Sequence, residues 1–453
     1  MTTSPSSDTR PTGPSSVSRR EAFAFWLKLG FISFGGPAGQ IALMHEELVS
    51  RRRWLSERRF LHALNYCMLL PGPEAQQLAT YLGWLLHRSW GGVVAGLLFI
   101  LPSLGLLMLL AWVYLVYGNL PLIAGVFYAI KPVVVVVVFQ AAWRLGGRVL
   151  RNRWLWAMAL AAFAATFALG LPFPLIVLAA AVAGAVGGRL RPAAFAAAAV
   201  TDDKAGTDTG ALIHDASVAP EHARFRLSRL LMLLAIGALL WCLPMGSLLL
   251  WQGWEGPLTQ MAWFFTKAAL LTFGGAYAVL PYVYQGAVLH YGWLSPLQMI
   301  DGLALGESTP GPLIMVVVFV AFLGGYQGAL AGPDQALAGG LLAALLVCWF
   351  TFLPSFLFVL GGAPLIEATR GELRLTAALT GVSAAVVGVI VNLALFFGWH
   401  VFMPAEVAGP DWLALGIGLV AAGLLFGRGW TVLQTLLLSA AAGLVLGAAG
   451  LAS

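Results

Sequence analysis

Apolar runs as long as a bilayer's hydrocarbon core recur along nearly the whole chain, and they leave few folds open. Gly92–Trp112 and Leu337–Leu360 contain no charged residue and are apolar on every helical face. At helical rise a hydrocarbon core of about 30 Å takes ~20 residues. The alternating segments of about 10 residues that a membrane β-barrel requires do not occur. Lipid offers no water to bond a free backbone, so these runs are expected to be helices. With 60% hydrophobic and 10% charged residues over 453 positions, the chain has too little polar surface to coat a water-soluble globule.

The same runs contain an internal repeat. Phe34-Gly35-Gly36 recurs as Phe273-Gly274-Gly275, a shift of 239 residues, and Lys28 and Lys267 each lie six residues before the phenylalanine. Without a gap, that shift carries Trp54-Leu55-Ser56 onto Trp293-Leu294-Ser295 and Pro71-Gly72-Pro73 onto Pro310-Gly311-Pro312. Leu101-Pro102-Ser103 matches Leu353-Pro354-Ser355 at a shift of 252, so the second copy has about 13 extra residues, placed around 324–338. This gives five units: a Ser/Thr/Pro-rich tail over 1–20, a repeat over 21–190, a polar linker over 191–227, a bridging span over 228–250 and a second repeat over 251–453. The tail does not read as a signal peptide, since Lys28 and Gly35-Gly36-Pro37 interrupt the first apolar run.

Full spans are expected near 91–117, 121–146, 154–170, 172–189, 228–250, 336–361, 374–397, 411–426 and 431–451. Segments 22–43 and 259–281 carry Gly-Gly, and 61–87 and 297–325 are split by Pro-Gly-Pro into halves too short to cross. Treating these four as re-entrant, with the N-terminus in the cytoplasm, puts Arg51, Arg52, Arg53, Arg58, Arg59, Arg88, Arg144, Arg148, Arg151, Arg153, Arg370, Arg374, Arg428 and the linker inside. Loops 251–258, 282–296, 326–335 and 398–410 then lie outside and contain no Lys or Arg, as the positive-inside rule requires. An odd number of spans separates the repeats. The fold class expected is therefore an all-α polytopic membrane protein of two inverted homologous halves, with about nine full spans and four re-entrant broken helices, up to 13 hydrophobic segments.

Proline removes a backbone donor and stops a helix, while glycine permits a turn that other residues resist. A half-helix can start after each Pro-Gly-Pro, with free amides from Glu74 to Gln77 and from Leu313 to Met315. Two such positive ends meeting from opposite sides would hold an anion near the midplane. Lys28, Lys267 and Lys131 place ammonium groups in apolar runs, which costs about 2.5–3.5 kcal/mol on insertion scales and marks a pathway or a pair; snorkelling is the plain alternative for Lys28. Glu74 and Glu307 flank the two turns as proton-linked groups or helix-start charges. Asn65, Gln76, Gln77, Ser308 and Thr309 could replace an anion's water.

These motifs resemble those of the chromate ion transporter family in its long, two-domain form. The resemblance rests on Phe34-Gly35-Gly36-Pro37, Pro71-Gly72-Pro73-Glu74-Ala75-Gln76-Gln77, Thr272-Phe273-Gly274-Gly275-Ala276-Tyr277 and Glu307-Ser308-Thr309-Pro310-Gly311-Pro312, and spans about 20 to 450. It implies an inner-membrane exporter of chromate driven by the proton motive force. It carries the family's motif positions over to the Phe-Gly-Gly and Pro-Gly-Pro residues; joined with the charged and polar groups read above, the expected substrate site is Lys28, Phe34, Gly35, Gly36, Pro71, Gly72, Pro73, Glu74, Gln76, Gln77, Lys267, Gly274, Gly275, Glu307, Ser308, Thr309, Pro310, Gly311 and Pro312. The second copy has Leu313-Ile314-Met315-Val316 where the first has Glu-Ala-Gln-Gln, so the first is expected to supply most polar ligands.

Sulfate shares chromate's tetrahedral shape and charge and is the nearest competing substrate. Protons are the expected coupling ion, the bilayer the solvent, and a homodimer is admitted. The three cysteines, Cys67, Cys242 and Cys348, are far apart, and the seven histidines form no ligand pair, so neither a metal nor another cofactor is expected. The formal charge of +6 is read as topology, with no nucleic-acid partner. An intramembrane enzyme acting on a lipid phosphate would want a converging His/Asp/Glu set, a channel would want a polar stripe, and an ATP-driven pump a phosphate loop; the sequence offers none of these.

Overall fold

The computed structural model describes residues 17–195, 212–213, 225–273, 275–330, 332–369, 376–404 and 409–450. Most of the expected tail and linker, Gly274, Arg370 and Arg374 lie outside the described residues.

Short helices come first. Helix α1 (Arg19–Ile32) starts at Ser18, whose side chain accepts from the Glu21 amide, and stops one residue before Phe34-Gly35-Gly36. Gly35 and Gly36 take φ of 89° and 68°, the left-handed region that a side chain resists. Helix α2 (Gly36–His45) follows with Pro37 in its first turn and runs into a π-helical turn, Glu46–Arg51. Ser56 caps α3 (Glu57–Leu69), which ends at the first Pro-Gly-Pro. Helix α4 (Glu74–Tyr117) starts directly after it and passes through a kink at His87 and Arg88, where the backbone leaves helical geometry. The segment expected over 61–87 thus continues into the next span across that kink.

Helices α5 (Pro121–Val149), α6 (Arg153–Phe167), α7 (Phe173–Leu190) and the single turn α8 (Pro192–Phe195) complete the first copy. After the bridging helix α9 (Leu227–Gln252), the second copy repeats the order: α10 (Pro257–Leu271), α11 (Ala276–Tyr284), a π-helical turn at Gln285–His290 and α12 (Pro296–Ser308). Beyond the second Pro-Gly-Pro, a 3-10 turn (Leu313–Met315) leads into α13 (Val316–Gln327). Helices α14 (Ala336–Thr369), α15 (Thr376–Phe402), α16 (Trp412–Ala422) and α17 (Val432–Ala448) finish the chain.

The 239-residue register is visible in the backbone. Glu46–Arg51 corresponds to Gln285–His290 and Glu57–Leu69 to Pro296–Ser308, residue for residue. Trp54 and Trp293 donate their amides to Leu48 and Ala287, each at 2.8 Å.

Among the described residues, six helices are long and apolar enough to cross a membrane: Glu74–Tyr117, Pro121–Val149, Phe173–Leu190, Leu227–Gln252, Ala336–Pro364 and Ala377–Phe402. Four shorter apolar helices, Arg153–Phe167, Leu313–Gln327, Trp412–Gly427 and Val432–Ala448, accompany them. The chain is a multi-pass helical membrane protein, and large apolar side chains such as Leu190, Leu250 and Trp412 stand exposed on its perimeter.

The halves interleave. Helix α5 packs on α17, and α15 on α6 and α7. Small residues allow the close approach: a Cβ on Gly125 would fall 2.4 Å from the Gly443 carbonyl oxygen, and one on Gly388 would fall 2.0 Å from that of Ala159.

Candidate functional site

Each Pro-Gly-Pro turn docks on the glycine break of the other copy. Gly72 donates its amide to the Thr272 carbonyl at 2.8 Å, and Gly311 donates to the Ser33 carbonyl at 2.9 Å. These four positions are related by the same 239-residue shift, so the bonds form a reciprocal pair. Helix ends create the need for it, since the last carbonyls of α1 and α10 have no partner further along their own helix. The left-handed glycines supply the donors, with φ of 131° at Gly72 and 100° at Gly311.

Side chains continue the crossing. A Cβ on Gly72 would lie 2.3 Å from Ser355 Oγ and 2.5 Å from Gln77 Nε2, and one on Gly311 would lie 2.7 Å from Ser103 Cβ. Ser103 and Ser355 end the two Leu-Pro-Ser motifs, so these contacts are reciprocal too. Gln77 Nε2 donates to the Pro71 carbonyl at 2.7 Å, while Gln40 Nε2 donates to the carbonyls of Gly311 at 2.5 Å and Ser33 at 3.2 Å. Gln76 Nε2 donates to Thr80 Oγ1 at 3.0 Å.

Five buried polar atoms around the turns have no hydrogen-bond partner among the described residues: the side-chain oxygens of Gln40, Gln76, Gln77, Ser103 and Ser355. Buried polar groups are normally paired, so such a concentration points to a ligand or to water. The serine hydroxyls have donor capacity to give, and the first amides of α4, those of Glu74, Ala75 and Gln76, face no intrahelical carbonyl, whereas the Gln77 amide, expected free, donates to the Pro73 carbonyl at 3.0 Å.

The two acids lie at this centre. Glu74 is half-buried, and its Oε1 would be 3.8 Å from a Cβ placed on Gly275, across the gap in the second copy. Glu307 is buried and accepts a hydrogen bond from the Tyr277 hydroxyl. Arg148 interacts electrostatically with Glu74, and Arg144 with Glu307 and Tyr277. Both arginines project from the last turns of α5.

The expected residues therefore divide. Gly36, Pro71, Gly72, Pro73, Glu74, Gln76, Gln77, Gly275, Glu307, Pro310, Gly311 and Pro312 form or adjoin the crossing, with Phe34 and Gly35 in the break itself. Ser308 and Thr309 are beside it, but their hydroxyls bond the carbonyls of Leu305 and Gly306 in their own helix. Lys28 is exposed on α1. Lys267 sits 5.6 Å from the Trp263 ring and lines a cavity of about 730 Å³ with Tyr282, Tyr284, His290 and Asn392. Gly274 is outside the described residues.

Sequence reasoning missed Gln40, Ser103 and Ser355 as members; Arg144 and Arg148, exposed on α5, act on the two acids only through space. The Leu-Pro-Ser motif offered a signal but served only to set the register, and Arg144 and Arg148 read as topology charges.

The profile described as "Chromate transporter" matches the chain twice, over residues 20–185 and 259–446. A chromate transport protein of Pseudomonas aeruginosa is 34% identical over 428 residues, 92% of this chain and 89% of that protein. A probable chromate transport protein of Synechococcus elongatus is 28% identical over 84% of this chain and 85% of its own length. The uncharacterized transporter YwrB of Bacillus subtilis is 33% identical over 134 residues, 29% of this chain and 68% of that protein. No solved structure matches the chain.

Proposed function

This chain belongs to the chromate transporter family, and we propose that it is a secondary transporter that exports chromate from the cytoplasm, driven by the proton motive force, and so confers chromate resistance. The reciprocal docking of the two Pro-Gly-Pro turns carries this reading, because it gathers unpartnered buried polar groups and a helix start at one place between the halves. A tetrahedral dianion would take hydrogen bonds from Ser103, Ser355 and the first α4 amides, with Arg144 and Arg148 offsetting its charge against Glu74 and Glu307. Those two carboxyls are the proton-linked groups nearest the site. Residues Phe34 to Gly36, Pro71 to Pro73, Gly274, Gly275 and Pro310 to Pro312 shape it.

The units over 21–190 and 251–453 act as inverted repeats, joined by a cytoplasmic linker over 191–227 and the bridging span, in an inner membrane. Nine crossings result when Arg153–Phe167, Trp412–Gly427 and Val432–Ala448 are added to the six longer helices, with Leu313–Gln327 as a re-entrant arm. Two contacts support this sidedness. Gln285 accepts from the Phe173 amide at 3.0 Å, which joins turns that the charge rule puts outside, and Leu55 bridges Ile213, both on the inside.

One assay in everted vesicles tests the reading. Chromate should accumulate on imposing a pH gradient, with sulfate and molybdate as competitors. Stronger competition by sulfate than self-competition by chromate would make sulfate the substrate, and no gradient-driven accumulation of either would defeat export. Cysteines at Arg51 and Leu289, both exposed, should label from opposite faces; labelling from one face would refute inversion.

A further inference from the structure

Away from the Pro-Gly-Pro turns, the halves bury an acid whose charge is only partly answered. Asp301, on α12, is 3% exposed. Its Oδ2 accepts from the Tyr114 hydroxyl of α4 at 2.9 Å and lies 3.6 Å from Lys131 Nζ of α5. Its Oδ1 is fully buried and has no hydrogen-bond partner among the described residues. Tyr114 and Lys131 are the titratable groups that face it. Of the other helices packed on α12, α17 has no ionisable residue, while α13 and α15 offer only Tyr326 and His400 near their ends, one stacked on Phe322 and the other on Phe396.

A buried carboxylate with one bare oxygen is poorly solvated, and a proton on that oxygen removes the charge. The adjacent ammonium keeps the ionised form accessible as well. The site is thus suited to two protonation states, where a well-packed structural pair would be suited to one. It also straddles the copies: Tyr114 and Lys131 come from the first and Asp301 from the second, so loss of the charge loosens α12 from α4 and α5. The position equivalent to Asp301 in the first copy holds His62, itself titratable. Glu307 is six residues further along α12, about 9 Å by axial rise, on the way to the central site.

We propose that Asp301 is a proton-binding group of the transport cycle, its carboxylate alternately paired with Lys131 and protonated. Oδ1 takes one proton from water and returns it as the ion pair re-forms; no other bond is made or broken. The assignment rests on proton-coupled oxyanion transport and names a carrier remote from Glu74.

Asp301→Asn and the double variant Lys131→Met/Asp301→Asn should be reconstituted and read in two ways: chromate accumulation driven by a pH gradient, and chromate exchange without a gradient. Exchange should persist in both variants, while stimulation by the pH gradient falls about tenfold or more, as expected when a proton-relay carboxyl is lost. If the single variant fails to fold for want of a partner to Lys131, the double variant decides, because removing both charges relieves that defect. Wild-type stimulation in either folded variant would overturn the proposal. In the wild-type protein, carbodiimide labelling of Asp301 should rise as pH falls, and labelling independent of pH would also overturn it. Absence of exchange in the wild-type protein strikes the transport reading, whereas intact exchange with an unaltered pH response strikes only Asp301.

Discussion

The two copies share a backbone and differ in what surrounds it. In the second, α11 is buried along nearly its whole length and packs on α15 and α7, with Tyr284 4.7 Å from Phe396 and Tyr282 6.0 Å from Phe173, ring to ring. In the first, α2 and the turns beside it leave Gly35, Ala38, Ala42 and Glu46 exposed. The π-helical turns and the Ser56 and Ser295 caps match to the residue, while the starts beside the breaks differ: α2 begins at Gly36 but α11 at Ala276, and α4 begins as an α-helix where the second copy has a 3-10 turn. The packing differs as well: one glycine-break hairpin is covered on most sides, while the other rests on α4 with part of its face exposed.

The sharpest way to break the comparison is at the crossing itself. Gly72→Ala and Gly311→Ala each add a Cβ where contacts of 2.3 and 2.7 Å await it, at a φ that costs about 1–3 kcal/mol for a non-glycine residue. Misplacing the turn by an ångström should lower transport by about 100-fold in both, measured per folded molecule in everted vesicles. A tolerated substitution in one copy would show that only the other turn matters.

A smaller effect should separate the copies. Gln76→Leu removes a buried amide that donates to Thr80, whereas its second-copy counterpart permits the near-isosteric Met315→Leu. Loss of a polar group from the site costs about 1–3 kcal/mol, an about 5- to 150-fold loss of chromate affinity, against less than ~1.5 kcal/mol of stability for the methionine change. Equal losses would erase the polar asymmetry. The lysines come last: Lys267→Met should raise the half-saturating chromate concentration about fivefold, the ~1 kcal/mol of a partly solvated charge, while exposed Lys28→Met should leave it nearly unchanged.

The breaks were legible because Gly-Gly and Pro-Gly-Pro act locally: proline forbids the next helical bond and glycine alone enters the left-handed region at no steric cost. The crossing was not legible, since which copy's turn meets which copy's break is decided by tertiary packing across roughly 200 residues of intervening chain. Gln40 escaped because a lone amide on an apolar helix has no periodic signature, and its second-copy counterpart is Val279. Asp301 escaped for a related reason: its partners Tyr114 and Lys131 are in the other half, so no local pattern joins them. The kink at His87 and Arg88 hid the continuity of α4, since a charged pair of residues there reads as a loop.

The π-helical turns at Glu46–Arg51 and Gln285–His290 bear on ancestry. Each is one residue too wide for its helix and falls at the same offset, whereas a third such turn, Gly423–Gly427, has no counterpart in the first copy. If both copies descend from one unit, half-length relatives such as YwrB are expected to carry the widened turn at the matching place.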